Sequence, residues 1–126
     1  GIIKKYFQEY PERLPQYLNK NTSYVFFTER QIGPLGALSI PVLAETSLSL
    51  DNLFPKAGIC FVDLKWYRHK ASKPFKRFAL NQDTGGGIIG PGRCEIFFGS
   101  GPHAELEAND MYCNGNLYFF FLKESQ

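Results

Sequence analysis

Apolar residues in the first twenty positions recur at helical spacing, with Tyr6, Phe7 and Tyr10 in one piece and Leu14, Tyr17 and Leu18 in a second. Pro11 suits the first turn of the second piece, whereas Pro15 imposes a kink. From residue 23 onward the pattern changes to short runs of strand character separated by Gly, Pro and Asp. Residues 23–27, 37–43, 47–50, 59–64, 76–82, 94–98 and 117–122 read as strands. Residues 51–58 read as a turn or short helix capped by Asp51, and residues 65–74 as a polar connection. One late helix starts near Pro102, contains Ala104, Leu106 and Ala108, and ends before Gly115. Seven short strands with glycine-rich crossings predict a mainly β fold, a small closed barrel of six to seven strands with short peripheral helices. Residues 1–22 form the N-terminal helical segment and residues 23–126 the barrel. Closure protects the aromatic run at 117–122 from edge pairing.

Composition narrows the class. With 126 residues the chain holds one core, and 12 Phe and 7 Tyr exclude a disordered chain. A net charge of +2 gives no basis for nucleic-acid binding. Lys65, Arg68, Lys70, Lys73, Lys76 and Arg77 cluster, but in a segment that reads as a solvated loop. Cys60, Cys94 and Cys113 have no metal-ligand spacing, either with one another or with His69 and His103, and neither metal nor cofactor is expected. His103 reads as a surface residue. No apolar run is long enough to span a membrane.

The chemistry concentrates in residues 83–99, where six glycines lie among seventeen residues and an acid stands at each end of the crossing, Asp83 before it and Glu95 within the next strand. Glycines let backbone approach a ligand closely and expose N–H groups to it. Alternation places Arg93, Glu95 and Phe97 on one face and Cys94, Ile96 and Phe98 on the other. A hairpin with one carboxylate capping the turn explains the same residues without any activity. Gly85, Gly87 and Gly90 match a dinucleotide fingerprint, but Pro91-Gly92 follows where a helix must open. A P-loop lacks its Lys-Ser/Thr ending. Asp83-Thr84-Gly85 also spells the aspartic-protease triplet, which leaves a dimeric protease as a remote alternative.

Gln82-Asp83-Thr84-Gly85-Gly86, Gly90-Pro91 and Arg93, in order after 21–27, 33–42 and 47–58 and before 117–122, resemble the C-terminal part of the membrane-bound lytic murein transglycosylase A (MltA) family. That part is the 3D domain, named for three aspartates on a double-psi β-barrel, and the resemblance runs from about residue 12 to the end. It implies Asp51 as the first acid, Asp83 as the second, and Glu95 at the third position, where the family has its catalytic aspartate. It implies non-hydrolytic cleavage of the β-1,4 bond between N-acetylmuramic acid and N-acetylglucosamine, leaving a 1,6-anhydromuramoyl end. Glu95 then serves as single acid/base, with Asp83 beside it as a like charge, a sugar ligand or a brace. Thr84, Gly85 and Gly86 offer N–H donors, and Asp51 holds the neighbouring crossing. The implied partners are peptidoglycan glycan strands and an upstream domain, not in these residues, that completes the groove. The implied location is the bacterial periplasm, with a lipid anchor on the outer membrane in the full-length protein. A non-catalytic glycan-binding barrel resembling the expansins is the alternative.

Overall fold

The computed structural model describes residues 1–68 and 71–123. Its contacts divide into two compact units, Gly1–Arg30 and Gln31–Gln126. In the first, α1 (Ile2–Glu9) stops at Tyr10, whose successor Pro11 disfavours helical backbone before it, so Tyr10 takes φ −131° and ψ 64°. Pro11 opens a 3-10 turn (Pro11–Arg13), and Pro15 sits in the first turn of α2 (Leu14–Leu18), where its missing N–H costs nothing. Tyr6 and Phe7 pack edge to face at 5.3 Å, and Phe7 meets Tyr17 at 5.5 Å. Residues 23–27 have strand composition but join no ladder. Propensity alone does not make a strand when no partner accepts its hydrogen bonds.

The second unit holds β1 (Ser47–Ser49), β2 (Ile59–Arg68), β3 (Ala71–Asp83), β4 (Glu95–Ile96), α3 (Pro102–Asp110) and β5 (Gly115–Phe119). The strands form one sheet in the order β4-β1-β3-β2-β5, in which β1 and β3 are parallel and every other pair is antiparallel. This corrects the sequence reading: the fold is mainly β with short helices, but the sheet is open and five-stranded, not a closed barrel of six to seven strands. Residues 37–43 form no strand, because Gly36 to Ile40 fold back into a turn with Ser39 at φ 58°, leaving only an isolated bridge from Leu35 to Pro41. The aromatic run does not close anything either. β5 ends at Phe119 on the sheet edge, and Leu122 is fully exposed.

The segment read as a polar connection is also corrected. Residues 65–68 and 71–74 extend β2 and β3 into a long antiparallel hairpin, with Lys65 opposite Pro74 and Trp66 opposite Lys73. Lys65 and Lys76 are exposed while their neighbours Trp66 and Phe75 are buried, so the polar residues concealed a period of two. Pro74 is tolerated because β1 pairs only with Leu80–Asp83, leaving that stretch of β3 without a neighbour on its other side. His69 and Lys70 lie outside the described residues.

One face of the sheet carries the core of Leu48, Leu50, Cys60, Val62, Leu64, Trp66, Phe75 and Ala79, against which Cys94, Ile96, Phe98, Met111 and Phe119 pack. Trp66 meets Phe98 at 5.3 Å, and Arg77 lies over Phe75 at 4.4 Å while pairing with Glu45. Burial pushes the Cys60 thiol up to about 11, which leaves it protonated and unreactive at neutral pH. Iodoacetamide at pH 7.5 (about neutral) is therefore expected to alkylate exposed Cys113 and to leave Cys60 unlabelled until the protein unfolds, as peptide mass mapping would read. Labelling of Cys60 in the folded chain would place it outside the core.

Candidate active site

Three strands converge to set the acids. β1 lies between β3 and β4, and Ser49 is the cross-strand partner of Asp83 on one side and of Glu95 on the other. An irregularity in the β1–β3 register between Leu48 and Ser49 brings Ser49 opposite Asp83. Asp83 and Glu95 thus stand two strand spacings apart, roughly 9.5 Å at the backbone. Both line one cavity of about 250 Å³, with Ser47, Leu48 and Ser49 as floor and Pro34, Leu35, Val42, Ile96 and Phe97 as walls.

The acids differ in what their oxygens already hold. Asp83 accepts the Ala37 N–H at Oδ1 and the Ser49 hydroxyl at Oδ2, each at 3.0 Å. It therefore fastens the 36–40 turn to the sheet and forms part of the cavity wall. Asp51 accepts Leu53 N–H at 2.8 Å and Gly90 N–H at 2.6 Å, the first a turn cap and the second a clasp on the far end of the glycine loop. Glu95 has a side chain 57% exposed, and its Oε1 lies 3.5 Å from Arg93 Nη2. Of the three, it alone accepts no hydrogen bond from a backbone N–H among the described residues.

Those two backbone donors, Leu53 first and Gly90 second, hold the Asp51 carboxyl below the ordinary aspartate value. A carboxyl depressed in the folded state contributes stability above its unfolded value of about 3.9, and that contribution is lost as the pH falls through the folded value. Acid unfolding of the wild type below about pH 4 should therefore be steeper than that of Asp51→Asn. Identical profiles followed by circular dichroism would mean that the clasp carries no charge-dependent stability.

The glycine loop begins at Thr84, half-buried like Gly85, and turns at once, with Ile88 N–H donating to the Gly85 carbonyl at 3.0 Å. Ile88 plugs the core, Gly86 is exposed, and Gly90 takes φ 83°, a backbone that favours glycine. A methyl on Gly85 would come within 3.2 Å of Ile88 and 4.0 Å of Glu95 Oε2, so the glycine loop passes near the exposed acid. Asp83 and Glu95 line the cavity; Gly85 borders Glu95; Thr84, Gly86 and Asp51 are not among its lining residues.

Ser49 and the 34–42 wall were missed from sequence. The alternation of Ser47-Leu48-Ser49-Leu50 already sets both serines on the face opposite the leucines, and Ser47 indeed bonds Gln82 Oε1 and accepts Leu43 N–H. His103 is exposed, as expected, with Nε2 3.5 Å from Glu107. Among the described residues no three His, Cys, Asp or Glu side chains group closely enough to hold a metal ion.

The fold recurs in known structures. MltA from Neisseria gonorrhoeae is 32% identical over 93% of this chain and 30% of its own, with a TM-score of 0.77. A membrane-bound lytic murein transglycosylase from Agrobacterium tumefaciens is 32% identical over 94% of this chain and 33% of its own, with a TM-score of 0.73. Escherichia coli MltA with bound chitohexaose shares the fold at 23% identity over 86% of this chain and 34% of its own, TM-score 0.70. The chain thus spans about a third of the length of these structures. No curated protein sequence matched. The family model for the 3D domain matches residues 46–120, which run from β1 through β5 and include Asp51, Asp83 and Glu95. The chain therefore belongs to the 3D-domain family, with the fold of the MltA-type lytic murein transglycosylases.

Proposed function

We propose that this chain is the acid-bearing part of a peptidoglycan lytic transglycosylase, cleaving the MurNAc-β-1,4-GlcNAc bond without water through Glu95. The observation that carries the reading is the division of labour among the acids: Asp51 and Asp83 are bound to backbone N–H groups, while Glu95 lines the cavity with only an exposed pairing to Arg93. A single acid/base suffices for this reaction. Protonated Glu95 gives its proton to the leaving glycosidic oxygen, and its carboxylate then takes the proton of the muramoyl C6 hydroxyl as that oxygen closes on C1. The acid ends as it began, and the C6 oxygen replaces water. Asp83 positions the wall and holds Ser49 between itself and Glu95. Gly85 and its neighbours leave backbone within reach of N-acetyl or hydroxyl groups, and Asp51 keeps the loop in place through Gly90.

Glu95 is exposed in this chain. A proton donor works best shielded from water, so glycan filling the groove, together with a further domain of the same protein facing it, would complete the site. The relative with bound chitohexaose supports a glycan-strand ligand, and the membrane-bound relative supports a cell-envelope setting, the periplasm with an outer-membrane anchor elsewhere in the protein. The exposure of Glu95 also favours a second reading, a glycan-binding module without turnover. Digestion of purified sacculi with mass spectrometry of released muropeptides separates them. Anhydromuramoyl ends support the enzyme, and sedimentation with sacculi without product supports the binder.

A further inference from the structure

A second groove, of about 460 Å³, opens between the continuation of β4 and α3, and the main site does not use it. Phe97, Phe98, Pro102, Ala104 and Ala108 line it, with Glu105 as its one charged side chain. It shares Ile96 and Phe97 in its lining with the main cavity, so the two adjoin the same strand. A sugar ring needs several convergent polar groups, and no side chain here except Glu105 can supply one. The lining suits a branch made of methyl groups, amides and one cation. Glu105 lies in the first turn of α3, and among the described residues no cation is paired with it.

Resting on the reading of the main cavity as a peptidoglycan site, we propose that this groove binds the peptide branch of the muramoyl residue. Alanine methyls would lie on Phe97, Phe98 and Ala108, and the free ammonium of the branch's diamino acid would meet Glu105. The branch leaves the sugar at the lactyl group of muramic acid, next to the bond being broken, and the second groove lies next to the main cavity, with Ile96 and Phe97 in the lining of both. The chain would thereby select glycan that carries peptide over bare glycan.

The test is calorimetric titration of the full chain with GlcNAc-MurNAc-tetrapeptide and with the same disaccharide lacking peptide. The peptide-bearing ligand should bind about tenfold tighter. Glu105→Gln should reduce that advantage by about threefold, and Ala108→Trp, which fills the groove, should erase it, with affinity for the bare disaccharide unchanged. Equal affinity for the two ligands, no measurable binding of either, or an advantage indifferent to both substitutions would overturn the proposal. Thermal melting verifies that the variants are folded. Peptide preference without anhydro product would sink the transglycosylase reading alone, whereas anhydro product with equal affinities would sink only the peptide groove.

Discussion

Glu95→Gln is expected to lower turnover of sacculi by roughly 10²–10⁴-fold while leaving sedimentation with sacculi intact. Glutamine keeps the shape and the cross-strand pairing with Ser49 but can neither give nor take the proton. Its pair with Arg93 is an exposed contact at 3.5 Å, whose loss should move stability by less than about 1 kcal/mol, so an unchanged melt should accompany the lost activity. Glu95→Asp is the sharper companion. It keeps the carboxyl chemistry but withdraws the oxygens by one methylene, and a shift of about 1 Å can cost roughly a hundredfold in rate. If the groove has adapted to glutamate, the aspartate variant slows; if it accelerates, the cavity is still shaped for the shorter acid. Full activity of Glu95→Gln would remove Glu95 from the chemistry.

The second large effect lies outside the motif. Gly36→Ala would set a methyl onto the carbonyl oxygen of Gln82, a backbone atom, and within 3.1 Å of Val42 Cγ1. Neither the strand nor the turn can yield cheaply, so we expect a loss of about 1–3 kcal/mol, or roughly 4 °C in melting temperature per kcal/mol. The activity should fall further than the stability. Gly36 precedes Ala37, whose N–H holds Asp83, and a displaced turn would move both the cavity wall and the acid's partner. Gly92→Ala is the matching control, since nothing lies within 4 Å of the added methyl. Unchanged melting and activity for Gly36→Ala would show that the 36–40 turn neither presses on β3 nor shapes the site.

Much of the site was legible because it is local. The cap reading of Asp51 needed only residues 51–53, and the inward set Cys94, Ile96 and Phe98 followed from alternation, leaving Glu95 and Phe97 toward the cavity. What failed was what depends on distant partners. Ala37 and Asp83 are 46 residues apart, and nothing in either neighbourhood announces their bond. The clasp from Asp51 to Gly90 spans 39 residues and was foreseen only as a vague holding role. Closure of the sheet was the larger error. It rested on treating 23–27 and 37–43 as strands, where composition favoured extension but 23–27 joins no ladder and the Gly36 turn folds 37–43 back on itself. The hairpin was underestimated for the opposite reason, since exposed lysines made residues 65–74 look like loop.

If Glu95 alone carries both proton transfers and the C6 hydroxyl takes the place of water, digestion of peptidoglycan in water enriched in heavy oxygen, followed by mass spectrometry of the new muramoyl ends, should give anhydro ends with no label at C1. Labelled, reducing muramoyl ends would show that water attacks, contradicting the mechanism while leaving the fold and family as they stand.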